Sequence, residues 1–581
     1  MEFYNTSERN IQIVLSLLKA NHIKRVIASP GSTDVAIVSS MQHDSYFEMY
    51  SCIDERSACY MACGMAAETG EPVVIVCTGA TSSRNYFPGL TEAYYRHLPV
   101  LAITCSRSNA NVGHYVNQVT DRSDPPSDTI NISVYAQTIR SAEDEWDCTI
   151  KVNKAILGLK YNGGGPCHIN LETVYGKDFS TKTIAPAKLI QRYTIEDELP
   201  RLPDGKIGIF VGNHQKWTDR LQNLVDQFCE KYNAAVFYDH SSNYKGRYGI
   251  LFPLITSQND SNHGDFDVDV MIYIGYVSAS VCKGKQMWRV NSDGEIRDPF
   301  RRISKVFQMS EEQFFNAYVE IDIVGKTDHI EYRGSLQNEY QKLLTSIPEL
   351  PFSNIWVAQH MAPYIPENSV VHFGILNSFR SWNNFVLPDS VSTYCNTGGF
   401  GIDGGVSSLV GSAMVTPEII HFGFFGDLLF YYDMNSIGNR DISSNLRILV
   451  INNGLGQEFK NYSSFGALFG EDTDAFIAAR GHFNNRATPL LECYAECLGF
   501  EYMAASNKSE FENVYKRFVT PEQTEKPMFF EVFTETEDES EALEIITTLT
   551  KKGQSIKRRN EMINRPEMMQ LRKMAKKILR R

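Results

Sequence analysis

A chain of 581 residues is too long for one hydrophobic core and predicts three or four domains. With 43% apolar and 22% charged residues it reads as an ordinary globular protein, and no apolar run approaches the roughly 18 residues of a transmembrane helix. The formal charge of −13 is uneven: from Lys551 to Arg581 twelve Lys/Arg face only Glu561 and Glu567, so the other 550 residues carry −23, a charge that repels nucleic-acid phosphates.

The opening residues, Met1-Glu2-Phe3-Tyr4-Asn5-Thr6, have neither a basic n-region nor an apolar h-region. The twelve cysteines form no Cys-x-x-Cys and no zinc-like cluster with histidine. Cys59/Cys63 and Cys493/Cys497, each spaced by four, fall on one helix face and read as buried free thiols. Together these features give the expectation of a reducing cytoplasm.

In chain order, Ile11 to Lys19 is a helical apolar stripe with Thr6 and Ser7 available to cap it. Arg25-Val26-Ile27-Ala28 is a strand ending in the turn Ser29-Pro30-Gly31-Ser32. Glu55 follows a further strand and opens an Ala-rich helix running from Ala58 to Thr69, with Asp54 placed to cap it. Val73 to Cys77, Val100 to Thr104 and His168 to Leu171 are short, largely apolar runs typical of parallel strands covered on both faces. Strands alternating with helices over residues 1–184 predict a doubly wound α/β layer.

A polar stretch with Pro186, Pro200 and Pro203 leads into a second α/β unit, residues 185–345, opened by Lys206 to Gly212 and containing Val270 to Gly275. Gly208, Gly212 and Gly275 make no Gly-x-Gly-x-x-Gly turn, which argues against a dinucleotide site there. A third unit, 346–550, holds two apolar runs, Ile419 to Phe425 and Leu446 to Ile451, and a closing strand, Met528 to Val532. The predicted fold class is therefore α/β, with three doubly wound parallel-sheet domains and a basic amphipathic tail, 551–581. In that tail Met568, Leu571, Ala575 and Ile578 recur at helical spacing; docking on the acidic body is favoured over a membrane surface.

The third unit carries the sharpest chemical signal. Gly426-Asp427-Leu428 and Ile451-Asn452-Asn453-Gly454 each follow one of its apolar runs, with Asp427 26 residues before Asn453. A hard carboxylate oxygen and an amide oxygen at the C-terminal ends of parallel strands suit Mg2+ that also grips a substrate's phosphates. Asn-Asn-Gly is also a common turn, so the motif needs its context.

That context resembles the thiamine-diphosphate (ThDP) enzymes. Asp54-Glu55-Arg56-Ser57-Ala58, Gly64 to Ala67, Val76 to Thr81 and Asn85 to Ala93 are similar, in order, to the family's pyrimidine-binding (Pyr) domain. More specifically the chain resembles the MenD-type SEPHCHC synthases over about residues 8–548. The matching pieces are Ser29 to Ser32, Asn117-Gln118, Arg297-Asp298-Pro299, Lys305 to Gln308, Asn377-Ser378, Gly401-Ile402-Asp403-Gly404, Asp427, Asp433-Met434-Asn435, Asn452-Asn453 and Gly456-Gln457.

The resemblance implies the Pyr–central–PP domain order, with ThDP and Mg2+ as cofactors. It makes Glu55 the carboxylate that exchanges a proton with the aminopyrimidine so that the thiazolium carbon can become a nucleophile. Thr78, Gly79, Ile402 and Gly426 would also contact the cofactor, with Ile402 wedged between its two rings. Asp427, Asn453 and the Leu455 carbonyl would hold the metal. Gln118, Asn117 and Arg107 would act on the substrate side, Arg107 as a carboxylate anchor. Glu55 and Asp427 would meet across two subunits of a homodimer or homotetramer.

Three positions where SEPHCHC synthases carry arginine differ: Thr33, Thr397 and Trp382, with Arg380 near the last. Ser32, Thr33, Ser378, Arg380, Trp382 and Thr397 are thus the candidate substrate residues. Trp382 and Phe379 are expected to make the pocket wall aromatic, and Leu429 stands where the family has serine. Arginine forks are the natural clamps for dicarboxylates. The expected function is therefore decarboxylation of a 2-oxo acid and transfer of the acyl-anion equivalent to an acceptor, with a substrate pair other than that of menaquinone synthesis. A true SEPHCHC synthase using 2-oxoglutarate and isochorismate, a simple 2-oxo acid decarboxylase and a catalytically decayed scaffold are the alternatives.

Overall fold

The computed structural model describes residues 4–258, 268–321, 331–482 and 489–550; the basic tail and what it docks on lie outside them. The first sheet is built from β1 (Arg25–Ala28), β2 (Glu48–Ser51), β3 (Val73–Thr78), β4 (Val100–Ser106), β5 (Ile132–Ala136) and β6 (Cys167–Glu172). Its order is β2-β1-β3-β4-β6-β5, and every neighbouring pair is parallel. β3 and β4 are buried along their whole length, as their apolar runs require. Helix Arg9–Ala20 packs over one face of this sheet, and helices Glu55–Thr69 and Phe87–Tyr95 supply the core on the other.

After β7 (Gln191–Thr194) come β8 (Ile207–Val211), β9 (Ala235–Tyr238), β10 (Gly249–Leu251), β11 (Val270–Ile274) and β12 (Gln286–Val290), which run in the parallel order β10-β9-β8-β11-β12. β13 (Ile303–Gln308) follows. The last sheet is parallel too, with β14 (Val370–Phe373), β15 (Ser392–Cys395), β16 (His421–Gly426), β17 (Leu446–Asn452), β18 (Glu501–Ala505) and β19 (Met528–Phe533) ordered β15-β14-β16-β17-β19-β18. Separate apolar cores cover its two faces, which makes it doubly wound. Three parallel α/β sheets are present, as the alternation of strands and helices predicts.

By compactness the chain forms two units. One runs to Glu196 and takes in Gly294–Val306; the other comprises Asp197–Asp293 and the chain from Phe307 on. The short segment joins the first unit for a physical reason. Asp298 accepts hydrogen bonds from Arg302 N, Ile303 N and Trp146 Nε1, while Ile296, Ile303 and Val306 pack with Ile190. No helix of the described residues is long and apolar enough to cross a membrane.

Some local expectations need correction. The first helix starts at Arg9, and neither Thr6 nor Ser7 caps it: Glu8 is the N-cap without a side-chain capping bond, its carboxylate accepting from Thr173, Val174 and Gly176 instead, and Thr6 Oγ1 accepts from Glu8 N. Cys59 and Cys63 are buried free thiols, but Cys493 and Cys497 are exposed, because helix Leu490–Cys497 buries only Leu491 and Ala495.

Candidate active site

In the first unit the helix carrying Glu55 begins where predicted. Asp54 is its N-cap, accepting from Arg56 N and Ser57 N, and Gly70 ends it at φ +67°. Glu55 is therefore the first helical residue. Its Oε2 accepts from Asn85 Nδ2 at 3.0 Å. Burial pulls this carboxyl upward, but Asn85, its own backbone N–H and Ser82 outweigh it and leave the group below the usual range. Glu55 is thus an ionised, half-buried acceptor.

Thr78 ends β3, and Gly79 follows it. Gly79 N donates to Cys105 O at 2.6 Å, and a Cβ on Gly79 would lie 2.8 Å from the Ser106 Cβ, so only glycine fits. Gly31 approaches the same place: its Cβ would fall 2.0 Å from Thr78 Oγ1, which has no hydrogen-bond partner among the described residues. Arg122, which the sequence reading missed, is buried and donates to Gly79 O, Thr120 O and Asn170 Oδ1, tying this turn to its sheet. Ser32 Oγ donates to Gln118 Oε1 at 3.2 Å, and Arg107 donates to Asn117 Oδ1 at 3.3 Å while lying over the Tyr175 ring. Gln118 has φ +61°, a left-handed backbone that costs a non-glycine residue roughly 1 kcal/mol. Thus Ser32, Gln118, Asn117 and Arg107 form two contacting pairs on one loop system.

In the second unit Gly426 pairs in register with Ile451, so Asp427 and Asn452-Asn453 leave adjacent strand ends together. Asp427 is 4% exposed. Its Oδ1 accepts from Leu428 N and its Oδ2 from Gly454 N, each at 2.7 Å, and Gly454 turns at φ +80°. Burial pushes this carboxyl up to about 7, assisted by Glu531 and opposed by the backbone N–H groups of Gly454, Leu428 and Asn453. Asn453 Oδ1 faces Leu455 N at 3.4 Å, a long contact that leaves the amide oxygen able to bind elsewhere.

A buried carboxylate whose N–H donors do not offset its desolvation, on a strand end adjacent to that of an amide oxygen, suits a hard divalent cation. Asp427 and Asn453 are the side chains that could hold one, and the Leu455 N–H lies against the Asn453 amide. Two supporting residues were not foreseen. Glu531, on β19, accepts from Asn452 Nδ2 at 2.6 Å and from Tyr502 Oη at 2.7 Å, which orients the first asparagine. Glu539 is buried and accepts from Asn354 N and Thr534 Oγ1 at 2.8 Å and from Asn377 Nδ2 at 3.4 Å; Asn354 Nδ2 in turn donates to Ser378 Oγ. Glu531 could have been found as the lone charge within an apolar strand; Glu539 gave no such signal.

Ile402 is half-buried between the two cores of this sheet. Asp433 caps helix Gly405–Val415 by accepting from Ser407 N at 2.6 Å. Leu429 is core: a Cβ on Gly405 would meet its Cδ2 at 2.9 Å.

The substrate candidates are where sequence reasoning fails most. Trp382 does not wall a pocket; it is fully buried and stacks on Phe424 at 3.9 Å, with Phe379 in the same core. Arg380 is not a free clamp, because Glu458 holds it bidentately at 2.7 and 2.9 Å. Thr33 and Thr397 are buried, their hydroxyls donating to Cys105 O at 2.5 Å and to Val277 O at 3.1 Å. Ser378, also buried, belongs to the Glu539 network.

Residues 10–124 match the family described as thiamine pyrophosphate enzyme, N-terminal TPP binding domain. The chain is 28% identical over 564 residues to the 2-succinyl-5-enolpyruvyl-6-hydroxy-3-cyclohexene-1-carboxylate (SEPHCHC) synthase of Phocaeicola vulgatus, covering 93% of this chain and 98% of that protein. It is 27% identical over 557 residues to the Bacteroides thetaiotaomicron protein of the same name, covering 91% and 96%. The solved structure of the Rhodococcus jostii RHA1 thiamine diphosphate-dependent 4-hydroxybenzoylformate decarboxylase aligns with 90% of this chain and 99% of its own, at a TM-score of 0.38 and 15% identity. The chain is a thiamine-diphosphate-dependent enzyme, similar over most of its length to SEPHCHC synthases.

Proposed function

We propose that this enzyme uses ThDP and Mg2+ to decarboxylate a 2-oxo acid and transfer the remaining acyl carbon to an acceptor, with a substrate pair other than 2-oxoglutarate and isochorismate. When bound, the cofactor supplies the carbon nucleophile and stores the electrons released with CO2. In this reading residues 1–184 bind the pyrimidine, 185–345 form a central domain and 346–550 hold the diphosphate and metal. Asp427, Asn453 and the Leu455 carbonyl grip Mg2+, with Gly426 beside the diphosphate. Glu55 exchanges a proton with the aminopyrimidine, Asn85 keeps it ionised, and Thr78, Gly79 and Ile402 line the cofactor's rings. Gln118, Asn117, Arg107 and Ser32 face the substrate. The two acids act across subunits of a homodimer or homotetramer, in the cytoplasm.

The observation that carries the substrate claim is the fate of the arginine positions. Thr33 and Thr397 are closed into the backbone, Trp382 is core and Arg380 is neutralised by Glu458. None of the four offers a free guanidinium to a second carboxylate. The opposing reading, a true SEPHCHC synthase, draws on relatives of that name at 27–28% identity over more than 90% of this chain. CO2 release by the full chain with Mg2+ and ThDP, across pyruvate, 2-oxoglutarate and other 2-oxo acids with and without isochorismate, separates the two. We expect turnover of an acid other than 2-oxoglutarate. Release from 2-oxoglutarate that rises with isochorismate would overturn the substrate claim, and absence of ThDP binding would overturn the cofactor claim.

A further inference from the structure

A cavity of about 580 Å³ lies within the second unit, where β9 and β10 form one edge of their sheet. Its size falls in the range of small-molecule sites, roughly 300–1,000 Å³. Lys245 and Arg247 line it beside Asp389, with Tyr238 at the end of β9 and Gln337 and Gln341 from one face of helix Glu331–Thr345.

Lys245 is the unexplained group. It makes no hydrogen bond or ion pair with the described residues. Burial drives its ammonium down to about 8, against the partial support of the Asp389 charge. Gln337 and Gln341, one helical turn apart and exposed at the rim, present their side-chain amides to the same cavity. Lys245 is half-buried in this cavity, and a cation partly withdrawn from water without a protein partner is placed to meet an anion.

The walls are built rather than loose. His240 N donates to Asn383 Oδ1 and its ring nitrogen meets Phe385 O, both at 2.9 Å. Thr393 N donates to Asn243 Oδ1 at 3.1 Å, and Tyr340 Oη to Asn384 O at 3.0 Å. These bonds fix His240 and Tyr340, which line the cavity, against the segment that leads to Val386 and Leu387. Residues 383–385 directly continue helix Asn377–Trp382, which carries Ser378 and Arg380. A ligand bracing this wall would be felt by that helix.

We infer that this cavity binds a small polyhydroxylated anion, a phosphorylated or carboxylated molecule of sugar size or larger. Lys245 and Arg247 meet its charge, Gln337, Gln341 and Asp389 meet its hydroxyls, and Tyr238 packs against it. Among the lining residues two cations face one carboxylate, with Asp226 near Arg247 behind them, so Lys245 is the cation left to favour an anion. Amides and a carboxylate favour hydroxyl groups over an apolar body. The inference does not depend on which 2-oxo acid the enzyme uses.

The test uses the full chain loaded with ThDP and Mg2+, titrated with ribose 5-phosphate, gluconate and neutral ribose, reading thermal shift and calorimetric Kd. At least one of the two anions is expected to raise the Tm while ribose does not, and the responding anion tells phosphate from carboxylate. Lys245→Met should weaken that binding at least tenfold with ThDP affinity unchanged. It should also melt close to the wild type without ligand, because the half-buried ammonium makes no hydrogen bond or ion pair with the described residues. Three results would overturn the inference: no shift with either anion at about 10 mM, where a millimolar site is mostly filled; equal binding by Lys245→Met; or a fall of several degrees in its unliganded Tm, which would make Lys245 a structural residue.

Discussion

The first and last sheets are wound alike: β2-β1-β3-β4-β6-β5 and β15-β14-β16-β17-β19-β18 follow one scheme. Equivalent strand ends therefore carry Thr78-Gly79 in one and Gly426-Asp427 in the other, Ser106 in one and Asn452 in the other. The N-terminal positions are small and neutral, and the acid of that sheet, Glu55, sits instead after the edge strand β2, half-buried and held ionised by Asn85. The C-terminal acid is buried, with its carboxyl pushed up to about 7. Topology decides which residues meet at strand ends; burial and hydrogen-bond partners decide what their charges can do.

That division of labour can be broken residue by residue. The largest effect is expected for Asp427→Asn, which keeps an acceptor for Leu428 N and Gly454 N and should lower Mg2+-dependent ThDP affinity by about two orders of magnitude in calorimetry and abolish turnover, with apo Tm little changed. Glu55→Gln should do the opposite. It should bind ThDP within a few-fold of wild type but lose roughly 10²–10⁴ in rate, the usual worth of a positioned proton-transfer group. Equal loss of binding in both variants would erase the distinction.

A smaller change is expected from Glu531→Gln, which keeps the shape but weakens the acceptor for Asn452. Metal affinity should fall about 10–100-fold, the range for groups that orient ligands, with kcat nearly unchanged once Mg2+ saturates.

Glu539 sharpens the comparison through pH. Its carboxyl is raised by burial to about 7, above the ordinary 4.5 of the unfolded chain. The native state therefore holds a proton that the unfolded state has lost between these values, so its contribution is fully present below pH 4.5 and is lost as pH rises through 7. Glu539→Gln should flatten this part of the urea-denaturation profile by on the order of 1–3 kcal/mol; an unchanged profile would mean Glu539 is ionised in the native state. The smallest effect is assigned to the Arg380–Glu458 pair. A double-mutant cycle on Tm should give only about 0.5–1 kcal/mol, because both side chains are roughly a third exposed.

The long interior strands were legible because burial on both faces forces an uninterrupted apolar run: β1, β3, β4, β8, β11 and β17 lie within a residue or two of their sequence positions. The sheet-edge strands β5, β15 and β18 escaped notice because their burial is mixed, so their composition carries no such run. The local motifs were legible too, since Asp54 can cap only the helix that starts with Glu55, and Gly426-Asp427 and Asn452-Asn453 must leave neighbouring strands if those strands pair.

By itself, then, the sequence determined the three parallel α/β sheets, the ThDP-enzyme motifs and the order in which they occur. Only the tertiary structure decided what each substrate candidate does. Trp382 could be pocket or core until Phe424 was found stacked on it, and Arg380 could be clamp or strut until Glu458 was found across from it. The reason is physical: periodicity and motif spacing are properties of neighbours along the chain, whereas burial and charge pairing depend on partners such as Glu458, Glu531 and Glu539, which lie 78, 79 and 162 residues from the groups they hold.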